Sequence, residues 1–450
     1  MLYDELNKYR EKNRISFAMP GHKGGRGLDF NPGLYDVTEL SDTPDMHNKN
    51  AMIRKSLGFL KDFYKTDMTT YITGGSTSGI FIMLASVCKY GDCVAIARGC
   101  HYSVLNACTF LGLKVIIMTE DTDNDLGVLK PLSVSKISEA LALHSDIKAV
   151  LMTSPTYYGE CADIRSIADF LHKKGIPLLV DEAHGAHFKA SDRLPVCAID
   201  AGADIAVQSA HKTLDALTPS ALLHVKSKLV DAEYVEILRS MRETSSPPSY
   251  ILASVESAVK KITPEHYSEF IEACEALRDD ITANTDIIMH SGALHDCTRL
   301  VFGFMNYAIT GFEVSRILRE KYNIDCEFSD DHNVICIPTP SNTKDEICFL
   351  FESVKKIIAG VPKSKKNPCC SFSGISECNP HKAFYSKTVP ADVYKSVGKT
   401  AASIITVYPP AIPVIYTGEI ITNEAIEYLL NTEQSGGAVL GKESFRVVAE

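Results

Sequence analysis

The sequence predicts an α/β protein, with a large domain on a mostly parallel sheet followed by a smaller α+β C-terminal domain. Three observations predict it. From about residue 70 to residue 225, apolar segments alternate with amphipathic helical ones. The apolar segments are near-continuous rather than alternating, as in strands covered on both faces. Beyond Pro247-Pro248 the rhythm changes to long helices and then to short strands and helices. At roughly 150 residues per domain, a chain of 450 residues holds two or three such units.

Leu2 to Asn13 reads as a polar amphipathic helix, an N-terminal arm leading into the Gly-rich stretch Met19-Pro20-Gly21-His22-Lys23-Gly24-Gly25. The strands of the large domain are expected at Val94 to Ala97, Lys114 to Met118, Ala149 to Thr153, Pro177 to Val180, Asp204 to Gln208 and Ala221 to Val225. Between two of them Ile164, Ile167, Ala168 and Leu171 fall at i, i+3, i+4 and i+7, one face of a helix, and Gly175 stops it. Helices Ile251 to Ile262 and Glu265 to Asn284 bridge to a second region, where Leu300 to Phe304, Phe312 to Tyr322, Val334 to Ile337 and Asp345 to Ala359 suit an α+β unit. The large domain with its arm is expected over 1–270 and the C-terminal region over 271–450. A stretch rich in Lys, Ser and Pro after Val361 marks a candidate division, before Tyr408-Pro409-Pro410 and a helix from Asn423 to Leu430.

Composition excludes several classes. With 45% apolar and 23% charged residues the chain is globular, neither disordered nor fibrous. Lys plus Arg is 46 and Asp plus Glu is 56, and the net charge of −10 draws the whole molecule to neither nucleic acid nor an anionic membrane. The first 30 residues carry Asp4, Glu5, Lys8, Arg10, Glu11, Lys12 and Arg14 and no apolar h-region, so no secretory signal is expected. No apolar run reaches membrane-spanning length. A cytoplasmic protein with its 14 cysteines reduced is the expectation, and Cys88, Cys108, Cys274, Cys336 and Cys348 sit in apolar segments as small hydrophobes.

Asp181-Glu182-Ala183-His184 spells a helicase box, but that chemistry needs GxxxxGK[ST] upstream. The Gly398-Lys399-Thr400 run lies downstream and has Val393 where the first Gly belongs. A different constellation fits. Gly74-Gly75-Ser76-Thr77-Ser78-Gly79 opens a helix from Ile80 to Cys88, and freed N–H groups with hydroxyls beside them suit a phosphate. Asp181 ends one strand; Lys212 follows another, 31 residues on, in Gln208-Ser209-Ala210-His211-Lys212-Thr213. His101 follows a third, and Ser154-Pro155-Thr156-Tyr157-Tyr158-Gly159 ends a fourth with hydroxyls. Each residue alone has a plainer reading: an N-cap for the Gly/Ser turn and for His101, a capping carboxylate for Asp181, a solvated surface charge for Lys212. Together they supply a phosphate cup, a flat aromatic, a carboxylate for a ring nitrogen and an imine-forming lysine, the set pyridoxal 5'-phosphate uses.

On these pieces the sequence resembles the Orn/Lys/Arg decarboxylase family of fold-type I, aspartate aminotransferase-like, pyridoxal-phosphate enzymes, in a short form without an N-terminal wing domain. The matching motifs are Met19 to Gly24, Gly74 to Gly79, Cys100-His101 with Ser103, Asp181 to His184, Ser209 to Lys212, Ser246 to Tyr250 and Tyr408 to Pro413, continuing to Gly418-Glu419. The resemblance implies a PLP-dependent transferase-like large domain and decarboxylation of a basic amino acid, arginine, lysine or ornithine, to a polyamine-type amine. It implies Lys212 as the lysine that carries the cofactor, Asp181 as partner of the ring nitrogen and His101 as the stacking residue. Gly75, Ser76, Thr77, Ser209 and His211 would hold the phosphate, Thr156 would complete the cofactor site and His184 would sit near the ring hydroxyl. A homodimer or higher homo-oligomer is implied, with Ser245 to Tyr250 reaching toward the partner's cofactor.

An aminotransferase or β-eliminating lyase is the nearest alternative, and a non-catalytic relative is a further one that retention of Lys212 and Asp181 opposes. Ala411 stands where the C-terminal motif usually has Gly. Cys369, Cys370, Cys378 and His381 match no common zinc spacing, so no metal is expected. Cys100 would make the site oxidant-sensitive if its thiol were exposed.

Overall fold

The structure, a computed structural model, describes residues 1–366, 374–408 and 412–449. Eight strands form its main sheet, in the order Gly374–Cys378, Lys114–Thr119, Cys93–Ala97, Ile147–Thr153, Leu178–Asp181, Ile205–Gln208, Ala221–Val225 and Met68–Ile72. The five from Lys114–Thr119 to Ile205–Gln208 pair in parallel. The outer three are antiparallel to their neighbours. The predicted α/β class with a mostly parallel sheet is borne out, and each predicted strand lies within two residues of an observed one.

The apolar runs are continuous because both faces are covered. Val94, Ile96, Val115, Ile117, Leu151 and Leu179 pack in one cluster with Ile80, Met83, Leu84, Val104 and Leu105 of helices Gly75–Val87 and Tyr102–Leu111. The alternate residues Ala95, Ile116, Met118, Val150, Met152 and Val180 pack on the other face with Ile137, Ile164, Ile167 and Leu171 of helices Val134–Leu143 and Ile164–His172. Period-two alternation thus divides each strand between two cores.

A smaller antiparallel sheet of Leu300–Gly303, Asn333–Cys336 and Phe328–Ser329 follows. Helices Gly311–Lys321 and Lys344–Ile358 accompany it, both opening on Thr–Glu capping boxes. Phe302 of its strand meets Phe351 edge to face at 5.3 Å. Beyond it Ile405–Tyr408, Ile412–Ile415 and Ala438–Leu440 form a three-stranded sheet with helix Asn423–Gln434 and a core around Ile405, Leu429 and Phe445.

Two strands cross the lines drawn from sequence. Ile15–Phe17 pairs in parallel with Ile324–Cys326, joining the arm to the small α+β unit. Gly374–Cys378, beyond Val361, adds an antiparallel edge to the large sheet. Among the described residues no helix is long and apolar enough to cross a membrane.

Candidate active site

Parallel neighbours put their C-terminal ends on one edge of the sheet, where open α/β sheets bind ligands. Asp181 is the last residue of its strand. His101 and the turn from Ser209 to Lys212 lie just past the ends of theirs. Of the predicted residues, the structure sets Lys212 beside His184, Asp181 and His101, and Ser76 beside Ser209.

Lys212 Nζ lies 3.1 Å from His184 Nε2 and 5.8 Å from the Tyr157 ring centroid. Burial pushes its pKa below the usual lysine range; Asp181 and Glu327 pull it back up, and Arg299 adds to the lowering. Asp181 is 3% exposed, and Ala183 N donates to its Oδ1 at 3.2 Å. Burial raises its pKa, opposed by Lys212 and by the Ala183 N–H. Such a carboxylate favours a cationic N–H donor beside it.

His184 is buried, its ring 5.0 Å from that of Tyr157. Arg299 Nη2 lies 2.9 Å from His184 Nδ1. Burial first, then Lys212, Arg299, His211 and His101, hold the His184 pKa well below the ordinary imidazole value. His101 caps helix Tyr102–Leu111, its Nδ1 accepting from Ser103 N at 3.2 Å. Its pKa is pushed down to about 4 by burial and by Lys212. His101 is therefore a helix cap and a neighbour of Lys212 at once.

The Gly-rich turn and the lysine turn meet through the Ser76 and Ser209 hydroxyls, which share a short hydrogen bond. Gly75 has φ +67, the left-handed region that glycine enters freely. Thr77 lies exposed on the same first helical turn. Glu243, which no motif marked, braces this turn: its Oε2 accepts from Thr73 N at 2.5 Å, Thr73 Oγ1 at 2.6 Å and Gly74 N at 3.2 Å. His211 Nδ1 is taken up by Ser220 O at 2.7 Å, and burial brings the His211 pKa down to about 4. Thr156 shapes its own turn, accepting from Glu160 N at 3.3 Å, and lines a cavity with Tyr157, Glu120, Asp330 and Asp331. A buried carboxylate, a partly desolvated amine, hydroxyls at a helix start and the buried Thr213 Oγ1, without a hydrogen-bond partner among the described residues, fit the ring nitrogen, aldehyde and phosphate of pyridoxal phosphate.

The motifs also have structural roles. Gly21 N donates to His211 O at 2.8 Å, and Thr339 Oγ1 donates to Gly21 O at 2.7 Å, so the Met19 to Gly24 stretch links the lysine turn to the small α+β unit. Glu182 accepts from Ala198 N and Gln208 Nε2, both at 2.7 Å, tying the short helix Ala198–Ala201 to the strand Ile205–Gln208. Pro409, Pro410 and Ala411 of the C-terminal motif, and Cys369 and Cys370, lie outside the described residues. The condition attached to Cys100 is not met: its thiol is buried and its pKa is pushed up to about 12.

Sequence reasoning missed Arg299, Glu327 and Glu243 and used Tyr157 only as part of a turn. The available signal for Arg299 was a charged residue set directly before the apolar strand Leu300–Gly303, in His295-Asp296-Cys297-Thr298-Arg299.

The major-domain model of the Orn/Lys/Arg decarboxylases matches residues 1–297, and the C-terminal-domain model matches residues 378–441. An arginine decarboxylase of Bacillus anthracis is 32% identical over 483 aligned residues, covering 100% of this chain and 97% of the relative. One from Bacillus subtilis is 31% identical, covering 98% and 95%. Among solved structures, the Escherichia coli constitutive lysine decarboxylase superposes with a TM-score of 0.73 at 16% identity, covering 99% of this chain and 81% of the other.

Proposed function

Starting from a chain that belongs to the Orn/Lys/Arg decarboxylase family and is an amino-acid decarboxylase, we propose that it uses pyridoxal 5'-phosphate to remove the α-carboxyl group of arginine. The observation that carries the reading is the convergence of Lys212, His184 and Asp181 at one edge of the sheet. Arginine is favoured over lysine and ornithine by near-full-length relatives named arginine decarboxylase at 30–32% identity. A Pseudomonas aeruginosa lysine decarboxylase is 23% identical over 56% of this chain. Glu120, Asp330 and Asp331 in the cavity beside Tyr157 suit a cationic distal group.

The cofactor, when bound, supplies an electron sink for the charge left at Cα as CO₂ departs. Lys212 Nζ is the amine that would hold its aldehyde carbon. Asp181 would keep the ring nitrogen protonated, since an anion beside an N–H⁺ favours the charged form. His101 would cover a ring face, while Gly75, Ser76, Thr77, Ser209 and His211 would take the phosphate. Thr156 would complete the cofactor site. Lys212 Nζ, or His184 Nε2 beside it, would return a proton to Cα. Contacts to the guanidinium of the substrate would hold the scissile carboxylate in its reactive orientation.

The active unit is a homodimer in this proposal. Ser249 Oγ donates to Tyr35 O at 2.5 Å and accepts from Val37 N at 3.2 Å, tying the Ser245 to Tyr250 stretch to a segment that exposes Leu34, Tyr35 and Leu40. Those exposed apolar groups support an interface there. Size-exclusion chromatography with light scattering tests it; a fully active monomer overturns it.

The function is tested by supplying arginine, lysine and ornithine separately and measuring CO₂, amine and keto acid. Arginine should give CO₂ and amine in equal amounts at the highest kcat/KM. Keto acid without CO₂ refutes decarboxylation, and faster turnover of lysine or ornithine refutes the substrate. Lys212→Ala should abolish the visible absorbance change on adding pyridoxal phosphate.

A further inference from the structure

Arg299 is 1% exposed. Its Nη2 meets His184 Nδ1 at 2.9 Å, while its Nε and Nη1 lack hydrogen-bond partners among the described residues. A guanidinium has donors and no acceptor, and it stays protonated in proteins. His184 Nδ1 must therefore accept, which leaves the single ring proton of neutral His184 on Nε2. Nε2 lies 3.1 Å from Lys212 Nζ. An Nε2–H can only donate, so the lysine nitrogen must offer a lone pair. An ammonium at Lys212 would put donors against both ring nitrogens, with one of them already carrying its own proton.

We propose that Arg299 is a positioning residue which, by fixing the Nε2–H tautomer of His184, holds the side chain of Lys212 as a neutral amine. A neutral amine is the form able to attack a carbonyl carbon. The proposal deepens the function above, since it rests on Lys212 as the amine that takes the cofactor. The surroundings agree with it. The charged and titratable groups facing Lys212 are Asp181, Glu327, Arg299, Tyr157, His184, His101 and His211, and those facing His184 include Arg299, His211 and His101 as well. Burial and Arg299 work with the tautomer to favour the neutral lysine; Asp181 and Glu327 work against it. Asp296 lies within reach of Arg299 and helps retain its charge; His187, Arg299 and Thr298 hold Asp296 ionised against the cost of its burial.

The test uses the full-length chain freed of cofactor. Long-range ¹⁵N–¹H spectra of histidine-labelled protein distinguish a pyridine-type from a pyrrole-type ring nitrogen, with His184 assigned by comparison with His184→Gln. His184 Nδ1 should be pyridine-type and Nε2 protonated. Protonation at Nδ1 instead overturns the proposal. In a second arm, acetic anhydride labelling from pH 5 to pH 10 is read peptide by peptide by mass spectrometry, with exposed Lys89 as internal reference. Lys212 should lose reactivity at a lower pH than Lys89. Arg299→Met should move that midpoint up by one pH unit or more, so that reactivity near pH 7 falls about tenfold.

Arg299→Gln carries an amide donor without charge and separates the tautomer from simple repulsion. It should retain more of the depressed midpoint than Arg299→Met. A midpoint unchanged in folded Arg299→Met, or equal in the Met and Gln variants, overturns the proposal. Should Arg299→Met fail to fold, the wild-type tautomer and the Gln variant still decide. Failure of the cofactor assignment would show separately, as wild-type protein whose absorbance is unchanged by pyridoxal phosphate.

Discussion

Replacing Arg98 or Glu419 should loosen the C-terminal unit from the strand end that carries His101. Arg98 follows strand Cys93–Ala97 directly and forms a short ion pair with Glu419, their side chains 7% and 12% exposed. Its Nε donates to Thr119 Oγ1 at 3.1 Å, its Nη1 donates to Val414 O at 3.2 Å and its guanidinium lies 5.1 Å from the Tyr416 ring centroid. Glu419 in turn accepts from Ser376 Oγ and Tyr416 N, each at 3.2 Å. Glu419→Gln leaves the guanidinium desolvated without its counter-charge but keeps an acceptor, so a loss near 3 kcal/mol is expected, the lower end for breaking a buried pair. Arg98→Met strands the carboxylate and also removes the hydrogen bonds to Thr119 and Val414, worth about 1 kcal/mol each, so a loss of at least about 5 kcal/mol is expected. Arg98→Met/Glu419→Met removes both charges and should cost at least about 2 kcal/mol less than the sum of Arg98→Met and Glu419→Met. Urea unfolding followed by far-UV circular dichroism reads these values. Glu419→Gln within about 0.5 kcal/mol of the wild type, or strict additivity in the cycle, refutes the reasoning.

Three further predictions use the same contacts and the Gly positions. Gly418 has φ +89, and a Cβ there would lie 2.7 Å from Asn379 C, so Gly418→Ala should cost at least about 1–3 kcal/mol in the same unfolding assay. A Cβ on Gly21 would lie 2.2 Å from Leu214 O, two residues past Lys212; Gly21→Ala should displace the lysine turn, lowering kcat/KM on the order of 100-fold, and should cost stability as well. Lys23 is 4% exposed, its Nζ donating to Ala18 O and Ile337 O, and burial brings its pKa down to about 7. The unfolded chain then binds more protons at this residue than the folded one between about pH 7 and pH 10.5, so Lys23 makes stability rise with pH across that window and contributes no slope below it. Lys23→Met should flatten that part of the stability–pH curve, and an unchanged slope would contradict the assignment.

The large domain was legible because its information is local. A strand covered on both faces must be apolar throughout, and Val94 to Ala97, Ala149 to Thr153 and Ala221 to Val225 were recognisable on that ground. The edge strand Gly374–Cys378 was not, because Ser376 and Glu377 give it no apolar pattern and its pairing with Lys114–Thr119 is entirely long-range. Ile15–Phe17 is three residues long and is defined only by Ile324–Cys326 opposite it. In the candidate site, Lys212, Asp181 and His101 could be listed from strand ends, whereas Glu243 and Glu327 act from turns and loops with no periodicity to betray them.

By itself the sequence determined the class of the sheet, the family and the residues available for chemistry, since hydrophobic period and motif order are properties of neighbouring residues. The tertiary structure decided how those residues act on one another. Gly21 against the lysine turn, Glu419 against Arg98 and Arg299 against His184 are contacts across long stretches of chain, and protonation state depends on burial and on nearby donors and charges. Those quantities exist only once the chain has folded.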